Sequence, residues 1–90
     1  MQGLKAAIDE IAKRKTAKDH QQKIVEECGE LITALIKNGD RAPNDDTLGE
    51  IGDVLNTIEI YLRHHGIDVR SLDEYRTQQI EKHLRKVKST

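Results

Sequence analysis

The stretch TLGEIGDVLNTIEIYL, residues 47–62, constrains this chain more than any other. At about 100° per residue, Ile51, Val54, Leu55, Ile58, Ile60, Tyr61 and Leu62 cover most of the circumference of a helix. A helix apolar on nearly every side has to be buried against others. Yet Glu50 and Asp53 lie within it, beside Val54, Thr57, Ile60 and Tyr61 and away from the polar side of Gly52, Asn56, Glu59 and Arg63. A buried lone carboxylate costs several kcal/mol, so such a pair must be protonated, ion-paired or bound to a cation.

The rest of the chain also reads as helix. One proline and six glycines punctuate it, and no strand-like alternation occurs. A short first helix begins at Leu4, with Leu4, Ala7, Ile8 and Ile11 at helical spacing. A second runs from an N-cap at Thr16 to Lys37, where Asn38-Gly39 forms a C-terminal cap and Pro43 keeps the helix from resuming. The third spans Thr47 to His65, and the fourth starts at SLDE, a capping box from Ser71 to Glu74, and continues toward Lys88. Short links imply antiparallel neighbours. The expectation is an all-α, four-helix-bundle-type domain of antiparallel helices over residues 1–90.

At 90 residues, a domain buries only about 60% of its unfolded surface and is marginal alone, so self-association is expected. A net charge of -1 offers no field for gathering nucleic acid or anionic membrane. No apolar run is long enough to span a bilayer, and the first turns lack the apolar core of a secretory leader. The cytoplasm is therefore the default location, and the lone Cys28, which can form no internal disulfide, agrees with it. Cys28 sits on the apolar stripe of the second helix and reads as core, and His20, His64, His65 and His83 read as surface residues without zinc spacing.

The second helix supplies acids to meet Glu50 and Asp53. Its stripe is Ile24, Val25, Cys28, Leu31, Ile32, Leu35 and Ile36; Glu27 flanks it, Glu30 lies one turn along the same edge, and Glu26 points outward. If the second and third helices pack antiparallel, four carboxylates converge and repel unless cations hold them. Hard oxygen ligands in that number suit Mg²⁺, with Mn²⁺ as substitute, in the two-ion arrangement used for phosphoryl chemistry. Plainer readings compete: Thr47 and Glu50 form a T-x-x-E capping box, and Glu27 and Glu30 are solvated acids pairing with Lys23. Capping leaves Asp53 unexplained.

EECGE (Glu26 to Glu30) followed by EIGD (Glu50 to Asp53) resembles the EExxE…ExxD signature of the all-α, MazG-like nucleoside triphosphate pyrophosphohydrolases. The neighbouring words KIVEECGELITAL and LGEIGDVLNTIEIYL match in their apolar positions, so the resemblance covers His20 to Leu62. It implies a helical homodimer or homotetramer that uses Mg²⁺ to cleave a nucleotide between its α and β phosphates. Carried over by position, the metal ligands are Glu27, Glu30, Glu50 and Asp53. Glu26 is a candidate for orienting the attacking water, although an outward surface role competes. The resemblance also implies a basic residue of the last helix at the phosphates, here Lys82 or Arg85, against the plain alternative of cations favoured at a helix C-terminus. Asn56 is near enough to hydrogen-bond sugar or base, or simply faces solvent.

Only Tyr61 and Tyr75 are available for stacking on a base. Two rival functions remain. A phosphoribosyl-ATP pyrophosphatase-like enzyme shares the acidic signature, but that branch carries an aromatic-His pair where this chain has VLNT. A non-catalytic helical interaction module would keep the fold without the chemistry.

Overall fold

The computed structural model describes residues 3–89, so the expected domain limits at 1 and 90 fall just outside the described residues. The chain is all-α: α1 (Leu4–Arg14), α2 (Ala17–Asn38), α3 (Asp45–His64), a 3₁₀ turn (Val69–Leu72) and α4 (Asp73–Lys88). No helix among the described residues is long and apolar enough to cross a membrane.

Local chemistry accounts for the helix ends. Thr16 caps α2 in a reciprocal box: its hydroxyl accepts from the Asp19 N–H at 3.1 Å, and its own N–H donates to the Asp19 carboxylate at 3.2 Å. Gly39 ends α2 at φ 68°, in the left-handed region that only glycine enters freely. Two expected starts differ. Asn44, not Thr47, caps α3, accepting from the Thr47 N–H at 2.8 Å, so Thr47 and Glu50 form no capping box. The Ser71 box at α4 does not form either, because Asp68 caps the 3₁₀ turn there and the Ser71 hydroxyl donates to the Asp68 carbonyl at 2.7 Å.

Helix α3 is the centre of the packing, with α2 and α1 both against it. Partners on α2 and α3 run in opposite directions, from Gln21 with Tyr61 at one end to Asn38 with Asn44 at the other, so the two helices are antiparallel. The turn between them hangs on Asn38, whose buried amide donates to the carbonyls of Arg41 (2.9 Å) and Ala42 (3.3 Å) and accepts from the Asn44 N–H (3.3 Å). Helix α1 is pinned by its Ala12 carbonyl, which meets His20 Nε2 at 3.3 Å and His64 Nδ1 at 2.8 Å, and by an Asp9 to Arg63 ion pair at 3.1 Å. His20 is thus buried and His64 half-buried, against the expectation of surface histidines.

Two further expectations are corrected. The buried positions of α2 are His20, Glu27, Ala34 and Asn38, whereas Val25, Ile32, Leu35 and Ile36 of the expected stripe are exposed. Helix α4 does not close a four-helix bundle within the chain: its contacts run to the 3₁₀ turn before it, and every described residue of α4 is exposed. The radius of gyration is 15.6 Å, against about 12 Å for a compact domain of this length.

Candidate metal centre

Antiparallel packing of α2 on α3 brings Glu27 opposite Glu50 and Asp53. One oxygen from each of these three lies within 4.8 Å of the others, and Glu26, Glu27 and Glu30 form a second such group that shares Glu27. Glu27 is the hinge of the arrangement and only 6% exposed. One of its oxygens pairs with Lys23 Nζ at 3.1 Å, while the other is buried without a hydrogen-bond partner. Glu50, half-buried on α3, also has one buried oxygen without a partner. Buried acceptors are ordinarily satisfied, so each of these oxygens calls for a positive or protic partner.

The electrostatics point the same way. Burial, followed by repulsion from Asp53, Glu27 and Asp46, holds the Glu50 carboxyl above its ordinary value. A hydrogen bond shared with Glu27 is the largest cause raising Glu30, with repulsion from Glu27, Glu50 and Glu26 adding to it. Each carboxylate makes its neighbours harder to ionise, which divalent cations relieve. The donor set, carboxylate oxygens only, suits Mg²⁺ or Mn²⁺ better than softer metals.

The structure therefore brings together Glu27, Glu30, Glu50, Asp53 and Glu26. Glu26 is exposed and 3.4 Å from Lys23, at the rim of the cluster. Asn56 is exposed and makes no side-chain hydrogen bond among those described. Lys82 and Arg85 line a shallow concavity on α4 with Gln79, His83 and Lys86, and one chain does not bring them to the carboxylates.

Two features escaped the sequence reading. Lys37 shares a concavity of about 220 Å³ with Glu30, Thr33, Asp46 and Glu50. Its signal was its place seven residues after Glu30, on the same face two turns along. On the other side, a cavity of about 440 Å³ opens between α1, α2 and α3, where Lys23 and Glu26 meet Lys15, Gln22, His20 and Thr57. No pattern in the sequence marks it, since its walls come from three helices.

No family model matches the chain, and no curated protein or solved structure matches it either.

Proposed function

We propose that this chain is a Mg²⁺-dependent nucleotide pyrophosphohydrolase of the MazG-like kind, acting in the cytoplasm as a homodimer or homotetramer. The observation that carries the reading is the meeting of Glu27, Glu50 and Asp53 within 4.8 Å, two of them with a buried oxygen lacking a partner.

In this reading Glu27, Glu30, Glu50 and Asp53 hold the cations, with Glu27 common to both groups. Bound Mg²⁺ would neutralise the polyphosphate, polarise the α phosphorus and acidify an attacking water. Glu26, at the rim, takes the proton of that water as its oxygen bonds to the α phosphorus. The bond from the α phosphorus to the bridging oxygen breaks, and pyrophosphate leaves. Lys23 and Lys37, which flank the carboxylates, receive the phosphate charge. Lys82 and Arg85 enter only from another copy. The cavity of about 440 Å³ beside Glu26 has room for a nucleoside and offers hydrogen-bonding groups without a stacking ring.

The test is pyrophosphate release from standard and damaged NTPs and dNTPs with Mg²⁺, comparing wild type with Asp53→Ala and Glu50→Gln. The expected result is metal-dependent release that each substitution lowers at least about 100-fold, as removal of a transition-state interaction does. If no nucleotide is cleaved and Mg²⁺ leaves the melting temperature unchanged, the reading fails and a non-catalytic interaction module replaces it.

A further inference from the structure

The two groups of carboxylates that meet at Glu27 differ in what already neutralises them. In the group of Glu26, Glu27 and Glu30, the Lys23 ammonium lies 3.4 Å from Glu26 Oε1 and 3.1 Å from Glu27 Oε1. In the group of Glu27, Glu50 and Asp53, Lys23 reaches Glu27 alone, and only one of its oxygens; the other Glu27 oxygen and one of Glu50 are buried without a hydrogen-bond partner. Neither Glu50 nor Asp53 forms an ion pair among the described residues. One group thus contains a cation of the chain's own, and the other is open.

Helical spacing puts Lys23 there. It stands three residues before Glu26 and four before Glu27, so all three side chains share one edge of α2. Glu27 is buried, and a buried carboxylate needs a positive or protic partner, which makes the ammonium more than a surface ornament. Yet the pair is built to yield. A lysine placed before its glutamate is the weaker of the two helical orders, the Lys23 side chain is half exposed, and its four-carbon stem is flexible.

The ammonium and a divalent ion exclude each other beside Glu26 and Glu27. Mg²⁺ sits about 2.0–2.1 Å from its oxygens, in the space that the Lys23 nitrogen takes up between the same two carboxylates, and the two positive charges repel. A way out exists, because Lys23 and Glu26 both line the cavity of about 440 Å³ between α1, α2 and α3. Lys37 does not duplicate this role: it shares a concavity with Glu30 and Glu50 but forms no ion pair with either.

We propose that Lys23 is a tethered counter-ion that fills one of two cation positions in the free protein and so fixes the order of loading. One divalent ion enters among Glu27, Glu50 and Asp53 with Lys23 in place; a second enters beside Glu26 and Glu30 only in exchange for the ammonium, which moves into the cavity. The proposal rests on the metal-binding part of the function proposed above and adds a positioning residue to it.

The experiment counts Mn²⁺ bound to the full chain by electron paramagnetic resonance, without nucleotide, in wild type, Lys23→Met and Lys23→Arg. Wild type should bind one ion tightly and a second weakly. Lys23→Met, which keeps the length and removes the charge, should tighten the second ion at least about tenfold and the first by less, as expected when a unit charge a few ångströms from a divalent ion is lost. Lys23→Arg keeps the charge beside both carboxylates and should behave as wild type. A second readout needs no variant: in a Mg²⁺ titration, ¹³C relaxation at Lys23 Cε should report a held methylene through the first ion and a freely moving one only as the second binds. It decides the matter even if Lys23→Met loses its far-ultraviolet helical signal. Two ions bound alike by wild type, a second ion no tighter in a folded Lys23→Met, or a Lys23 side chain released by the first ion would each overturn the inference and leave the pyrophosphohydrolase reading standing. A wild type that binds no Mn²⁺ would overturn both.

Discussion

Glu27 on α2 and Glu50 on α3 face each other across the interface between their helices, and each keeps one buried carboxylate oxygen without a hydrogen-bond partner. Buried oxygens of this kind call for a donor or a cation.

Divalent metal should therefore stabilise the fold. At ten times its Kd, Mg²⁺ adds about 1.4 kcal/mol, which for a domain of this size raises Tm by about 6–11 °C. Glu27→Gln should abolish that shift while leaving the metal-free protein at least as stable as wild type, because a repelling charge is gone. Calorimetry with and without Mg²⁺ decides it. A Glu27→Gln protein that is destabilised without metal and still shifts with Mg²⁺ would give Glu27 a purely structural role.

The acids also fix a pH dependence. Burial and like charges hold Glu50 above the ordinary 4.5, and its hydrogen bond with Glu27, with repulsion, does the same for Glu30. A carboxyl whose folded value is raised favours the folded state while protonated, so this contribution is greatest below 4.5 and is lost as pH rises through the raised values. Asp68 has the opposite sign: Arg70 holds it below the usual carboxylate range, and its contribution is lost as pH falls. The Tm of metal-free Glu50→Gln minus that of wild type should therefore grow between pH 4 and pH 7. A difference that shrinks over this range contradicts the repulsive cluster.

Asn38 is expected to matter beyond its place at the end of α2. Its side chain bonds Arg41, Ala42 and Asn44, so Asn38→Ala removes three hydrogen bonds of a part-buried loop, at a cost of about 0.5–1.5 kcal/mol for each. The same loop sets α3 against α2, so affinity for Mn²⁺ should weaken with it. Urea unfolding and Mn²⁺ titration by electron paramagnetic resonance measure the two. Full stability in the variant would deny the loop this role.

The two histidines that share the Ala12 carbonyl should act as a unit. His64→Ala removes the 2.8 Å bond, costing about 1 kcal/mol, and should speed amide exchange in α1 more than in α2. The effects of His20→Ala and His64→Ala should not add, because the rings are 4.9 Å apart on one acceptor. Additive losses would mean that the two side chains act independently.

Much of this molecule is written in local spacing. The cap at Thr16, the stop at Gly39 and the helical character of all four segments follow from side-chain hydrogen bonding, φ preference and periodicity, which need no neighbour. The gathering of Glu27 with Glu50 and Asp53 was also legible, because acids three apart on two antiparallel helices have few other places to go. Where a polar residue is reached from several elements, the reading failed. His20 looked like a surface residue until Ala12 and His64 closed over it. The apolar pattern of α2 did not say which side would meet α3: Val25, Ile32 and Ile36 are as greasy as a core, yet the tertiary packing turned Glu27 and Ala34 inward. Sequence alone determined the helices and the acids they carry, because those depend on contacts within a few residues. Only the tertiary structure decided which face of α2 is covered and where α4 lies, because that choice depends on the total fit of surfaces far apart in the chain.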